Sequence, residues 1–348
     1  KVRMGRQDLE LPAVALDKNP AIWSSDPSDG IALSAEVTDW LSLSAFWSRY
    51  DRQKAPHGGD FATHHAATAD IFALIAKLKF EGFEFQPYVA YAAQDGNTMD
   101  GSDSNNALTP APDTIVFRDG TTAGGNYGNN TWWFGINGEM SLFDPLTVKA
   151  DFLYGDRDFR SHTGLPNQHG WWMDGAVSYE TPYGTPEIAA WLGSGDDKNV
   201  KYAYQETMPT MCGRFGGSFG FFNGSGLEDN YLPDGHTALG TWGVRLAMKD
   251  ISFIDDLSHT VQVIYAKGTN SNYNGVFGLD PWQYMTKKDS MVELNLASEY
   301  EIYKNLKAYL EMAYIFENFK TQNGKSYAER ATKYDNGWQI GLQLTYEF

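Results

Sequence analysis

A transmembrane antiparallel β-barrel is the fold class this sequence predicts, and three observations predict it. Segments of alternating apolar and polar residues recur along the chain, the connections between them alternate between short and long, and mid-strand charges fall on one parity. The first observation identifies strands, because only a period of two puts every second side chain on one face. The second sorts the connections to the two ends of one sheet, as in outer-membrane barrels with short turns on one side and long loops on the other. The third separates a face that meets lipid from a face that meets water.

Period two predicts about fourteen strands, at residues 1–8, 29–37, 41–51, 69–80, 83–94, 131–143, 146–155, 170–180, 186–194, 238–249, 259–268, 290–301, 305–317 and 337–348. Most are about 9–13 residues long, which is what a tilted strand needs to cross a bilayer. The short connections are 37–40, 81–82, 144–145, 181–185 and 303–305, with 250–258 somewhat longer; between them lie 9–28, 52–68, 95–130, 156–169, 195–237, 269–289 and 318–336.

The faces agree with this order. In the last strand Trp338, Ile340, Leu342, Leu344, Tyr346 and Phe348 share one side, and Gln339, Gly341, Gln343, Thr345 and Glu347 share the other. The segments 305–317, 290–301 and 146–155 repeat the pattern. A soluble antiparallel sheet with one wet face also alternates. Against it stand the aromatics near strand ends (Trp40, Trp47, Trp132, Trp171, Trp338, Tyr346, Phe348), where membrane barrels carry their girdles.

The 348 residues are 42% hydrophobic and 15% aromatic, with 35 glycines, a mixture suited to many strands and glycine-rich turns. A mean hydropathy of −0.44 fits a barrel with a wet lumen, since only alternate residues meet lipid. Apolar runs such as Ile71 to Ala76 fall far short of the ~18–20 residues of a membrane-crossing helix, so any crossing is made by strands. With 27 basic and 44 acidic residues the net charge is −17, which argues against nucleic acid as a partner. It suits acidic loops whose carboxylates are bridged to anionic lipid headgroups by divalent cations. Cys212 is the only cysteine, so neither an intrachain disulfide nor a cysteine metal cage is expected. The chain opens at Lys1 without an initiator Met or an export signal, an absence that does not exclude export, because such signals are cleaved from mature proteins.

Two segments carry a family resemblance. The terminal Leu344-Thr345-Tyr346-Glu347-Phe348 resembles the C-terminal assembly signal of bacterial outer-membrane proteins, with Tyr346 and Phe348 as its aromatic positions. Arg3-Met4-Gly5-Arg6-Gln7-Asp8, followed by Leu11-Pro12, resembles the strand and loop that porins carry before their constriction. With Gly30 to Val37 and Leu41 to Tyr50 following, the chain is similar to the homotrimeric outer-membrane porins of sulfate-reducing bacteria. That resemblance implies a Gram-negative outer membrane with a periplasmic C-terminus, a homotrimer, contacts with lipid and lipopolysaccharide, and barrel-assembly machinery during biogenesis. It also implies further barrel sequence before Lys1, bringing the complete barrel to sixteen strands, with eighteen as the alternative.

A porin is a water-filled channel whose width and lining charge decide which solutes pass. The expected constriction is segment 9–28 with its flanking strand, holding Arg3, Arg6, Asp8, Glu10, Asp17, Asp26 and Asp29. Arg6 has the opposite parity to Arg3 unless a bulge intervenes. Wall bases of lumen parity are Arg3, Lys77, Lys79, Lys149, Arg245 and Lys307; wall acids are Glu36, Glu84, Glu139, Asp151, Asp174, Glu293, Glu299, Glu311 and Glu347. Acids outnumber bases, so a weak preference for cations is expected, although each charge could simply solvate the lumen or pair with a neighbouring strand. Phe46, Tyr50, Tyr88, Trp133 and Trp172 share the lumen parity and would suit a track for sugars in a substrate-specific channel, the alternative to a general porin. Gly213 to Gly226 is too glycine-rich for a helix and is expected to fold inward or to meet a neighbouring subunit.

No cofactor is expected. The loop with Asp95, Asp100 and Asp103 is rich in oxygen ligands but lacks the spacing of a calcium loop, so it is only a weak Ca²⁺ candidate. His57, His64 and His65 lie in a loop without a ligand-spacing motif. An outer-membrane enzyme would need a nucleophile beside a histidine, and none of the seven histidines sits in such a motif; a non-enzyme is expected.

Overall fold

The computed structural model describes residues 1–51, 68–94, 114–116, 122–124, 129–159, 167–196, 204–211, 213–222, 226–227, 237–271, 284–319 and 336–347. Its strands are β1 (Val2–Glu10), β2 (Trp23–Thr38), β3 (Leu41–Asp51), β4 (Thr68–Phe80), β5 (Phe83–Gln94), β6 (Thr114–Val116), β7 (Thr122–Gly124), β8 (Asn129–Phe143) and β9 (Leu146–Phe159). They continue with β10 (Asn167–Tyr179), β11 (Thr185–Gly193), β12 (Tyr204–Gln205), β13 (Thr241–Ile254), β14 (Leu257–Gly268), β15 (Ser290–Tyr303), β16 (Leu306–Asn318) and β17 (Gly337–Tyr346). Fourteen of them form one meander, β1-β2-β3-β4-β5-β8-β9-β10-β11-β13-β14-β15-β16-β17, each antiparallel to the next. The short β12 adds to β10, and β6 pairs with β7 outside the sheet. No helix occurs among the described residues.

These fourteen strands are the ones the alternation predicts, with several boundaries moved. β1 continues to Glu10 past an irregularity between Gln7 and Leu9, and β2 already starts at Trp23. The loop expected over 9–28 is therefore only 11–22, and Asp26 and Asp29 belong to β2. The connection expected over 250–258 is shorter as well. β13 runs on to Ile254 through two register shifts, leaving Asp255-Asp256 as the turn. Asp250 and Asp256 absorb the bend with φ of 56° and 64°, a conformation that short polar side chains tolerate better than most.

Burial inverts the pattern of a soluble sheet. Along β17 the apolar residues are the exposed ones, with Leu342 74% exposed, and the alternate Gln339, Gly341, Gln343 and Thr345 are less accessible. The same holds for Phe134 and Ile136 on β8, Ile188 on β11, Leu246 on β13 and Tyr314 and Phe316 on β16, all exposed. The outward face of β17 stays apolar from Trp338 to Tyr346. Eight steps of about 3.4 Å make roughly 27 Å of strand, or about 21 Å of height at the usual tilt of ~40°. That approaches the apolar band of an outer-membrane barrel, ≈25 Å.

Aromatics border this band at both ends. Near the short turns Trp40 stacks on Phe80, with ring centroids 6.1 Å apart, and Phe80 on Phe85 at 6.3 Å. Near the long loops Phe72, Tyr91, Trp132 and Phe134 form a continuous row, closest at 4.6 Å between Tyr91 and Trp132.

Candidate functional site: two segments folded against the inner wall

The inner face is identified by what it touches. Residues 11–22, between β1 and β2, and the described residues of 206–227, between β12 and β13, both lie against the side of the sheet that carries the polar parity. Leu11, Ala15, Leu16, Ala21 and Ile22 are buried, and so are Met208, Met211, Phe215, Phe221 and Phe222. One pair of segments contacts strands from β5 to β16, so the sheet curls around them with its polar face inside.

The first segment is held by backbone donors and one asparagine. Val14 and Ala15 donate their amides to the Asp151 carboxylate on β9, at 3.1 and 2.7 Å. Asn19 donates to the Pro12 carbonyl and to the Tyr88 hydroxyl on β5, both at 2.9 Å, and accepts from the amides of Ala21 and Ile22. Asn19 thereby shapes its own loop, as asparagine commonly does, and fastens it to the wall. Tyr88 can lie there only because Gly135 carries no side chain: a Cβ at that position would sit 2.1 Å from the Tyr88 ring.

The second segment docks on the first and then on the opposite wall. Met211 donates its amide to Ala21, Arg214 donates its amide to Asn19, and Thr210 donates its hydroxyl to Pro20, at 2.8, 3.1 and 2.9 Å. Arg157 of β9, itself buried, donates to Thr131, to Gln168 and to the Thr210 carbonyl at 2.7 Å. The Trp133 indole donates to the Pro209 carbonyl at 2.8 Å. Phe215 meets Trp172 and Trp191 edge-on at 6.0 and 4.9 Å, and Phe222 meets Trp191 and Phe215. Burying each of these rings contributes about 1.5–3 kcal/mol.

Two glutamates complete the anchorage. Glu293 on β15 accepts from the Ser218 hydroxyl (2.8 Å), the amides of Phe219 (3.1 Å) and Gly220 (2.8 Å), and the Asn295 amide (2.6 Å). Glu311 on β16 accepts from the Leu227 amide at 2.6 Å.

Of the residues singled out from sequence, Asp151 and Glu293 thus lie on the inner wall, but as anchors of infolded segments. Four of the six wall bases lie in ion pairs with acids of adjacent strands: Lys77–Glu84 at 2.5 Å, Lys149–Glu139 at 3.9 Å, Lys307–Glu299 at 2.6 Å and Arg245–Glu187 at 2.6 Å. Glu187, which sequence reasoning missed, also binds Lys249 at 2.7 Å and is buried together with Arg245. Lys79 is exposed on the same face, opposite Glu84.

Arg3 donates to Gln7 at 2.5 Å on the inner parity. Arg6 shares its parity with Val2 and Met4, which are exposed on the outer face, because the irregularity in β1 comes only after Gln7. Arg6 is therefore not brought to the interior; it stands opposite Asp29, next to Arg49 and Asp70, whose two bonds measure 2.9 and 2.7 Å. Asp8, Glu10 and Asp17 are exposed, and Asp26 lies in β2. Tyr346 faces outward at the end of β17.

Phe348, Cys212, the Asp95, Asp100 and Asp103 loop and His57, His64 and His65 lie outside the described residues. Tyr88, Trp133 and Trp172 are buried beneath the infolded segments, which corrects the expectation of a track open to sugars. Of Gly213 to Gly226, the described residues 213–222 fold inward, one of the two placements expected for the segment.

No family model and no curated protein matches the chain. Among solved structures, Pseudomonas aeruginosa OpdQ superposes with a TM-score of 0.52 at 12% identity, covering 99% of this chain and 75% of that one. Pseudomonas aeruginosa OccK3 (OpdO) gives 0.51 at 11% identity, covering 99% and 74%. OccD3 (OpdP) of the same organism gives 0.50 at 11% identity, covering 99% and 73%. Likeness at this identity is a likeness of fold: this chain has the antiparallel β-barrel wall of those proteins.

Proposed function

We propose that this chain is an outer-membrane porin, a non-enzymatic channel through which small hydrophilic solutes and ions diffuse passively. The observation that carries this reading is the inverted amphipathicity of the wall: apolar side chains exposed outward, polar ones inward, with residues 11–22 and 206–227 narrowing the interior. Such a wall is stable only in lipid, and its polar interior only with water. The infolded segments are the constriction. Lys1 and Tyr346 lie at the end with the short turns, which in outer-membrane barrels is the periplasmic end.

The homotrimeric porins of sulfate-reducing bacteria, which the terminal segments resemble, are the family we propose for it. That membership brings with it a trimer, lipopolysaccharide contacts and assembly through Tyr346 and Phe348. Wall acids outnumber wall bases, and the bases sit beside acids, which supports a weak preference for cations. Planar-bilayer recordings in a salt gradient test both points: stepwise conductance with a cation-directed reversal potential is expected, and no conductance, or clear anion selectivity, contradicts the respective part.

A second reading, a substrate-specific channel, is favoured by the number of infolded segments. Two segments bonded to each other leave less free lumen than one loop would. A liposome-swelling series across sugars and amino acids of graded size distinguishes the two. A smooth cutoff supports the general porin, and one solute entering out of order supports the specific channel.

A further inference from the structure

Asn137 on β8, Asp151 on β9 and Asp174 on β10 are consecutive partners in register and occupy one level of the inner wall. Asp151 and Asp174, paired in register on adjacent strands, set two carboxyls side by side. Two carboxylates have no proton to donate to each other, so such a contact needs something positive between them. Of the wall cations, Lys149 pairs with Glu139, and Arg245, whose ion pair is with Glu187, reaches Asp174 only through its field.

Asn137 is only 2% exposed, and neither its amide oxygen nor its nitrogen has a hydrogen-bond partner. One oxygen of Asp174, a residue 8% exposed, is likewise without a partner. Buried polar atoms left unsatisfied cost free energy, and three of them stand at one level of one wall.

We infer that Asn137, Asp151 and Asp174 bind a hard divalent cation of the calcium class. Two carboxylates and an amide carbonyl are the oxygen donors such ions take, and these three side chains offer no imidazole or thiolate to favour a transition metal. The Asp151 oxygens that accept from Val14 and Ala15 retain lone pairs for the ion. The cation would therefore fix the carboxylate on which residues 11–22 rest. The site does not depend on whether the barrel conducts.

The test is calcium titration, by isothermal calorimetry, of the full chain refolded in lipopolysaccharide-free detergent and stripped with chelator. Wild type is expected to bind one more Ca²⁺ per chain than Asp174→Asn. Asn137→Ala, which removes no hydrogen bond, is expected to fold normally and to weaken that binding by roughly tenfold or more. Terbium offers an independent readout. The Trp172 indole donates to Asp174 at 2.5 Å, so tryptophan-sensitised emission should fall in both variants. Equal stoichiometry and equal emission in the three proteins overturn the proposal and leave a shared proton between the carboxyls. If Asp174→Asn does not fold, Asn137→Ala alone decides.

Discussion

Asn19 and Tyr88 stand sixty-nine positions apart and are joined by one bond of 2.9 Å, from the asparagine amide to the phenolic oxygen. This bond fastens residues 11–22 to β5, and it can be cut without touching the loop's own turn. In Tyr88→Phe the wall link is lost while Asn19 still binds Pro12, Ala21 and Ile22. A net loss of about 1 kcal/mol is expected. Single-channel recordings should show unchanged barrel formation with noisier, slightly larger conductance; Asn19→Ala, which removes every one of these bonds, should exceed it.

Glu293 presents the opposite case, an anchor with four donors and little redundancy. Glu293→Ala strands buried donors that Glu293→Gln partly satisfies. The alanine variant should cost roughly 2–4 kcal/mol of local stability. Limited proteolysis should show it as new cleavage within 206–227 while the strands stay protected. Uncleaved Glu293→Ala would mean that the aromatic cluster alone holds the segment.

Glu187 sits between Arg245 and Lys249, and Arg245 is as deeply buried as its partner. Removing the carboxylate leaves a buried guanidinium without its counter-charge, a loss of about 3–5 kcal/mol. Glu187→Ala should lower the temperature of the heat-induced gel shift characteristic of barrels. It should also move the reversal potential toward anions, since the wall gains one net positive charge. Arg245→Met with Glu187→Leu should recover much of the stability.

The assignment of faces is tested by charge placed on either side of one strand. Leu342→Arg puts a guanidinium on the outward face of β17, near its middle, and should cost about 2–4 kcal/mol in a urea titration in lipid vesicles. Gln343→Arg, one residue further, faces inward and should change stability by less than about 1 kcal/mol while shifting selectivity. Equal effects would refute the assignment.

Strands were legible in the sequence because each carries its own period, and a reader needs no distant residue to see it. Trp338 to Tyr346 alternates whether or not β16 is known. The anchors were not legible in this way. Glu293 and Asp151 read as lumen charges, and nothing in their immediate sequence distinguishes a carboxylate facing water from one receiving backbone amides. Their partners lie 75 and 137 positions away. Glu187 and Arg157 were missed for related reasons: Glu187 opens a short strand, and Arg157 falls just past the predicted end of its own. Arg6 shows the value of register, since only the position of the irregularity in β1 tells which way it points.

The order of the strands has a consequence for how the molecule comes into being. Every wall strand lies beside its neighbour in sequence, so each hairpin can join a growing edge at small loop-closure cost. The infolded segments obey a different timetable. Residues 11–22 need β9, and Ser218, Phe219, Gly220 and Leu227 need β15 and β16, which follow them in the chain. The wall must therefore exist before its narrowing does. A segment that narrows the interior can thus dock only once the strands that hold it are in place.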